Sequence, residues 1–288
     1  MLRFLSILLL AALLSTCKES KSSTGETNET PTKSVKRGIS YNIQHEEDLI
    51  ALRTGLSWWY NWGTETSISS NYYDLYKMEY IPMLWSVGNA TTYDNLKSFI
   101  IKHPEINYLL VLNEPNLKDQ ANMYPATAAK EWLKYEQVVK DLANLGRTVY
   151  IVGPAITWGT LDGYSDPIVW MDAFYEEYRK ANNNRDPQID YLAFHWYDYG
   201  LESQLNRLEK YGKEIRITEM ANWNSNINSY EKQAEQMKEM VALCERREDV
   251  FRYAWFIGRG AENRFTNLFD SQPGKLNSLG ELYISLPF

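Results

Sequence analysis

From Arg37 onward the chain repeats one alternation eight times: a short β-rich apolar run, then a segment whose apolar residues follow helical spacing. The runs begin near Arg37 (RGISYN), Leu56 (LSWWYNW), Glu79 (EYIPMLW), Tyr108 (YLLVLNEP), Thr148 (TVYIVGPA), Tyr191 (YLAFHWY), Glu214 (EIRITEM) and Arg252 (RYAWFIG). Amphipathic stretches at 45–53, 128–145, 168–182, 201–211 and 230–247 lie between them, the βα alternation of a parallel sheet. Eight such units in a domain of roughly 250 residues predict an α/β fold, a (β/α)8 TIM barrel forming a single catalytic domain. A doubly wound open sheet would carry a Gly-rich phosphate turn after its first strand, and this sequence has none.

The segment ahead of the barrel has a different character. Residues 1–16 place Arg3 before an apolar run from Phe4 to Leu14 and small residues before Cys17, the layout of an export signal. Leu14-Ser15-Thr16-Cys17 has the form of a lipoprotein cleavage site, although Thr16 stands where Gly, Ala or Ser is usual. Lipidation of Cys17 is therefore expected, with plain secretion as the alternative. Residues 17–35, rich in Ser, Thr, Lys and Glu, are too polar to fold and read as a tether, so the catalytic domain is expected over 36–288. The expected location is outside the cytoplasm, either lipid-anchored at a bacterial outer membrane or cell surface, or secreted or periplasmic. Membrane contact is expected only through the lipid. Cys244 is the one other cysteine, so no intramolecular disulfide is expected in the mature domain.

A net charge of -7 with scattered basic residues argues against nucleic acid as a partner. With three histidines, His45, His103 and His195, a multi-histidine metal centre is not expected, and no phosphate loop, Gly-x-Ser-x-Gly elbow or zinc-type cluster occurs. The chemistry-bearing residues are carboxylates. Val111-Leu112-Asn113-Glu114-Pro115 and Ile215-Arg216-Ile217-Thr218-Glu219-Met220 each end a strand-like run in a glutamate. In a barrel, strand C-termini share one face, so Glu114 and Glu219 would meet across its mouth. Two facing carboxylates suit glycoside hydrolysis, with retention at about 5 Å separation and inversion at wider spacing. Asn113 could bind a sugar hydroxyl. Tyr197 could hold a nucleophilic carboxylate, and His195, beside Trp196, could support that network, bind substrate or simply be a core histidine. Trp59, Trp62, Trp85 and Trp255 are candidate stacking platforms, although strand alternation prevents Trp58 and Trp59 from both facing the cavity.

Taken in order, Arg37-Gly38-Ile39-Ser40-Tyr41-Asn42, Trp58-Trp59-Tyr60-Asn61-Trp62, Pro82-Met83-Leu84-Trp85, Asn113-Glu114-Pro115, Gly153-Pro154-Ala155, His195-Trp196-Tyr197, Thr218-Glu219 and Arg252-Tyr253-Ala254-Trp255-Phe256 give the chain its resemblance. It resembles glycoside hydrolase family 128, the clan A β-1,3-glucanases with an Asl1-like catalytic domain. The resemblance implies a retaining enzyme on laminarin-like β-1,3-glucan, with Glu114 as general acid/base and Glu219 as nucleophile; endo action is expected, with exo action as the open alternative. It also implies that Asn113 lies near the sugar 2-hydroxyl and that Tyr197 orients Glu219. No cofactor and no metal are implied, and a monomer is expected. Asn116 and Met220 depart from the Asp and Phe common in similar members. A hydrolase of another β-linked glycan and a non-catalytic glycan-binding lipoprotein remain the alternatives.

Overall fold

A computed structural model describes residues 32–69, 71–261 and 264–288; the expected signal segment and Cys17 lie outside the described residues. Among the described residues nine parallel strands follow one another: β1 (Arg37–Ser40), β2 (Trp58–Tyr60), β3 (Glu79–Tyr80), β4 (Met83–Leu84), β5 (Tyr108–Val111), β6 (Tyr150–Ile156), β7 (Tyr191–Trp196), β8 (Ile215–Met220) and β9 (Val250–Trp255). Their order, β3-β2-β1-β9-β8-β7-β6-β5-β4, returns on itself, because β3 and β4 are successive halves of one strand. Pro82, which has no N–H to donate, sits at that break. Ile81 N–H donates to the Trp59 carbonyl on one side, and the Pro82 carbonyl accepts from Leu110 N–H on the other. The result is an eight-stranded barrel, and the eight sequence runs are its staves.

Helices alternate with the strands: α1 (Glu46–Leu52), α2 (Tyr72–Tyr76), α3 (Ala90–Lys102), α4 (Pro125–Asn144), α5 (Pro167–Ala181), α6 (Leu201–Leu208), α7 (Tyr230–Arg246) and α8 (Ser278–Ser285). Several start on a residue whose side chain accepts the first free backbone N–H groups: Asn89 for α3, Asp166 for α5, Ser229 for α7 and Asn277 for α8. Among the described residues no helix is long and apolar enough to cross a membrane.

Strand alternation divides the apolar residues into two clusters. Trp58, Tyr60, Ile81, Met83, Leu110, Val152, Ala155, Ala193 and Ala254 fill the barrel interior. Trp59, Tyr80, Leu109, Ile151, Phe194, Ile217 and Trp255 face outward beneath the helices. The packed domain also begins before residue 36. Lys33 Nζ donates to the carbonyls of Leu56 at 2.6 Å, Lys77 at 2.9 Å and Arg53 at 3.0 Å, and Ser34 is buried. Composition marks these residues as tether because a lysine and a serine carry no apolar signal; here backbone carbonyls hold them.

Candidate active site

The turn after β5 delivers Glu114. The backbone carries φ of 60° at Leu112 and 42° at Glu114, the left-handed region that non-glycine residues rarely enter, and Pro115 restricts it further. Neighbouring strands hold the turn: Asn113 N–H donates to the Trp85 carbonyl and Glu114 N–H to the Ala155 carbonyl, both at 2.8 Å. Such strain persists where the surroundings over-determine it, and it aims the carboxylate into the barrel mouth.

Glu219 reaches the same mouth from β8 by a bulge. Phe194 pairs with Ile217, but the next β7 residue, His195, pairs with Glu219, so Thr218 is the additional residue. Both sides of the bulge then meet His195. Its Nε2 lies 2.9 Å from Thr218 Oγ1, its Nδ1 lies 2.8 Å from Glu114 Oε1, and the same Nδ1 is 3.6 Å from Glu219 Oε2. One oxygen of Glu114, one of Glu219 and a ring nitrogen of His195 lie within 4.8 Å of one another.

Three neutral donors converge on Glu219. Tyr60 Oη and Trp62 Nε1 each donate to Oε1 at 2.8 Å, and Tyr197 Oη donates to Oε2. Tyr197 stacks on Trp223 at 3.9 Å between ring centroids and meets Phe256 edge-on. Burial, reinforced by the Glu219 charge, raises the Tyr60 and Tyr197 phenols well above the ordinary tyrosine value, so they stay protonated and donate. Burial alone would lower the His195 pKa; the charge of Glu219 and the contact with Glu114 outweigh it and raise it.

Glu114, His195 and Glu219 are the one group among the described residues with three potential metal-ligand atoms so close together. The donor set does not favour an ion there. Three protons are already aimed at Glu219, taking three of its roughly four acceptor sites, and Glu114 has the imidazole as its partner. Above the carboxylates opens a cleft of about 880 Å³, lined among others by Trp62, Trp85, Asn113, Trp158, Trp196, Tyr197, Trp223, Phe256 and Arg264. Aromatic walls over two carboxylates are the equipment for holding a sugar ring and breaking a glycosidic bond.

The family described as "Glycosyl hydrolase catalytic core" matches residues 38–283. The chain is also similar to a solved family 128 (subgroup II) endo-beta-1,3-glucanase from Pseudomonas viridiflava, with 50% identity, coverage of 89% of this chain and 100% of that one, and a TM-score of 0.84. The chain belongs to glycoside hydrolase family 128. A second family 128 (subgroup II) endo-beta-1,3-glucanase, from Sorangium cellulosum, is similar at 29% identity over 88% of this chain and 98% of that one, with a TM-score of 0.74. Alkali-sensitive linkage protein 1 of Schizosaccharomyces pombe is 28% identical over 88% of this chain, which spans 45% of that relative's length.

Within this family 128 barrel, Glu114, Glu219, Asn113, Trp62, Trp85, Trp196 and Tyr197 all line the cleft. Asn113 Nδ2 donates to Gln120 at 3.2 Å, while its buried Oδ1 meets no protein donor. Two of the expected stacking platforms, Trp59 and Trp255, lie away from the cleft, and His195 takes the network position among the readings open for it. Trp59 is fully buried on the outward face of β2, edge-on to Tyr72, because the alternation that turns Trp58 and Tyr60 inward turns it outward. Trp255 is fully buried and donates to the Thr266 carbonyl at 2.9 Å. His195 is fully buried behind the carboxylates and contacts them and Thr218 in place of substrate. Sequence reasoning missed Tyr60, Trp158 and Trp223. The inward parity of β2 could have found Tyr60; the other two sit in loops, where no periodicity marks them.

Proposed function

We propose that the protein is a retaining, endo-acting β-1,3-glucanase. The observation carrying this reading is the approach of Glu114 and Glu219 oxygens within 4.8 Å, which matches the roughly 5 Å carboxyl separation of retaining enzymes and falls short of the roughly 6.5–9.5 Å that inverting enzymes use to seat the attacking water. Glu219 attacks the anomeric carbon while Glu114 protonates the departing glycosidic oxygen. Glu114 then takes a proton from water as that water displaces Glu219, restoring the original configuration. Tyr60, Trp62 and Tyr197 fix the attacking carboxylate in one rotamer. Asn113 lines the cleft beside Glu114, which suits it to meet a sugar hydroxyl next to the scissile bond. The linkage is supported by the two similar enzymes of subgroup II, both endo-beta-1,3-glucanases.

The test is reducing-sugar release from a linear β-1,3-glucan, with mixed-linkage β-glucan and cellulose alongside, by the wild type and Glu219→Gln. Release from the β-1,3 polymer, abolished in the variant, is the expected result. Release from cellulose alone would refute the linkage, and binding without release would make the protein a glycan-binding lipoprotein. For the segment ahead of the barrel we infer export and acylation at Cys17, supported by Arg3, the apolar run and Leu14-Ser15-Thr16-Cys17. Membrane-fraction mass spectrometry should find diacylglycerol on Cys17, lost in Cys17→Ser.

A further inference from the structure

Trp158, more exposed than Trp85 in the same cleft, has a support that the reaction centre does not explain. Trp158 follows β6, is 47% exposed and lines the cleft wall. An exposed indole on an ordinary loop would be mobile. Here two independent devices hold it.

The first acts on the ring: the Arg207 guanidinium lies 5.6 Å from the Trp158 ring centroid. Arg207 is itself fixed by two contacts from Nη2 to Asp166, at 2.8 and 2.6 Å, and Asp166 is the N-cap of α5. The second acts on the backbone. Asn116 Nδ2 donates to the Thr157 carbonyl at 2.5 Å, and the Asn116 carbonyl accepts from Thr160 N–H and Leu161 N–H, both at 2.9 Å. Gly159 packs so tightly on that carbonyl that a Cβ there would collide with it. An aspartate carboxylate at 116 could not donate to Thr157, so the amide at this position is part of the device.

We propose that Trp158 is a pre-organised platform for a glucosyl ring on the leaving-group side of the scissile bond, with Arg207 and Asn116 as its positioning residues. This rests on the hydrolase reading above. The side follows from strand order. Trp158 extends β6, whose Ala155 carbonyl holds Glu114 N–H, and Glu114 is the group that protonates the departing sugar; Glu219 lies beyond β7. A neutral apolar sugar face packs on the exposed side of an indole whose other side is engaged by a guanidinium.

Two substrates separate this role from a general one: a β-1,3-linked hexasaccharide, and a chromogenic aryl glycoside of a β-1,3-linked disaccharide, whose departing group is no sugar. For Trp158→Ala, the loss of kcat/KM on the hexasaccharide should exceed the loss on the aryl glycoside by about tenfold, the size of one aromatic contact. Trp158→Phe should recover most of that difference, and Arg207→Met should show part of it. Equal losses on both substrates, or none on either, would overturn the proposal. A wild type inactive on both would refute the hydrolase reading; hexasaccharide affinity of wild type and Trp158→Ala by calorimetry would then decide the platform, equal affinities overturning it.

Discussion

Thr218→Val isolates the hydrogen bond that ties the two halves of the site together. Thr218 and His195 are both buried, and Thr218 Oγ1 is the partner of His195 Nε2 at 2.9 Å. Valine keeps the branched shape and removes the hydroxyl, leaving a buried ring nitrogen unpaired at a cost of about 1–3 kcal/mol. For a domain of this size that lowers Tm by roughly 2–12 °C. The pH dependence has a fixed sign. The His195 pKa is raised in the fold, so its stabilisation is complete below the unfolded value and disappears as pH rises through the folded value. A protonated imidazole must donate from Nε2 and a hydrogen bond from a charged donor is the stronger kind, so the Thr218→Val deficit should be larger near about pH 5 than near about pH 8. Differential scanning calorimetry of wild type, Thr218→Val and Thr218→Ser across that range reads it, with serine expected to track the wild type. Activity adds a second readout: a released imidazole no longer fixes Glu114, so kcat should fall with little change in KM. Identical Tm values for Val and Ser at every pH would mean that the Thr218 hydroxyl does not hold His195.

Glu114→Ala should lose most activity on β-1,3-glucan yet regain turnover of an activated aryl glycoside when azide is added, giving a β-glycosyl azide by thin-layer chromatography; an α-azide would contradict attack on a covalent intermediate. Trp59→Ala and Trp255→Ala should each cost about 3–5 kcal/mol in denaturant unfolding while the KM of the folded fraction stays near wild type, since both are fully buried away from the cleft. Arg216→Met should leave Tm at neutral pH unchanged or higher. Arg216 is fully buried, its three guanidinium nitrogens meet no protein acceptor, and burial followed by the charge of Arg252 lowers its pKa to about 9. The unfolded chain binds more protons between that value and the ordinary arginine pKa, so wild-type stability carries the deficit below about pH 9, and the gain in the variant belongs there. A fall of several degrees would show that the stack on Tyr108, at 3.6 Å, outweighs desolvation.

The barrel was legible because its signal is periodic. Eight apolar runs correspond to eight staves, and all five named amphipathic stretches coincide with α1, α4, α5, α6 and α7 within a few residues. The break at Ile81–Pro82 was not visible as a break, since both halves continue one apolar run. The carboxylates were legible because each stands at or just past the C-terminal end of a strand, and those ends converge in a barrel whatever their separation in sequence. Aromatic residues were less so. Trp59 and Tyr60 are adjacent and similar in character, and only the parity of β2 decides that Tyr60 meets Glu219 while Trp59 packs under a helix. Placing Thr218 on His195 required the bulge between β7 and β8, a register shift that no residue type announces. Trp158 and Trp223 stand in loops whose paths are set by tertiary contacts such as Asn116 on Thr157.

The central claim is that Glu219 forms a covalent bond to the sugar, and the stereochemistry of hydrolysis tests it most directly. Proton NMR of a β-1,3-gluco-oligosaccharide, followed from the first minute of reaction, resolves the anomeric signal of the newly formed reducing end before it equilibrates. With Glu219 as nucleophile the β-anomer appears first and the α-anomer grows only by mutarotation. Initial appearance of the α-anomer would mean single displacement by water and would contradict the assignment of Glu219 as nucleophile.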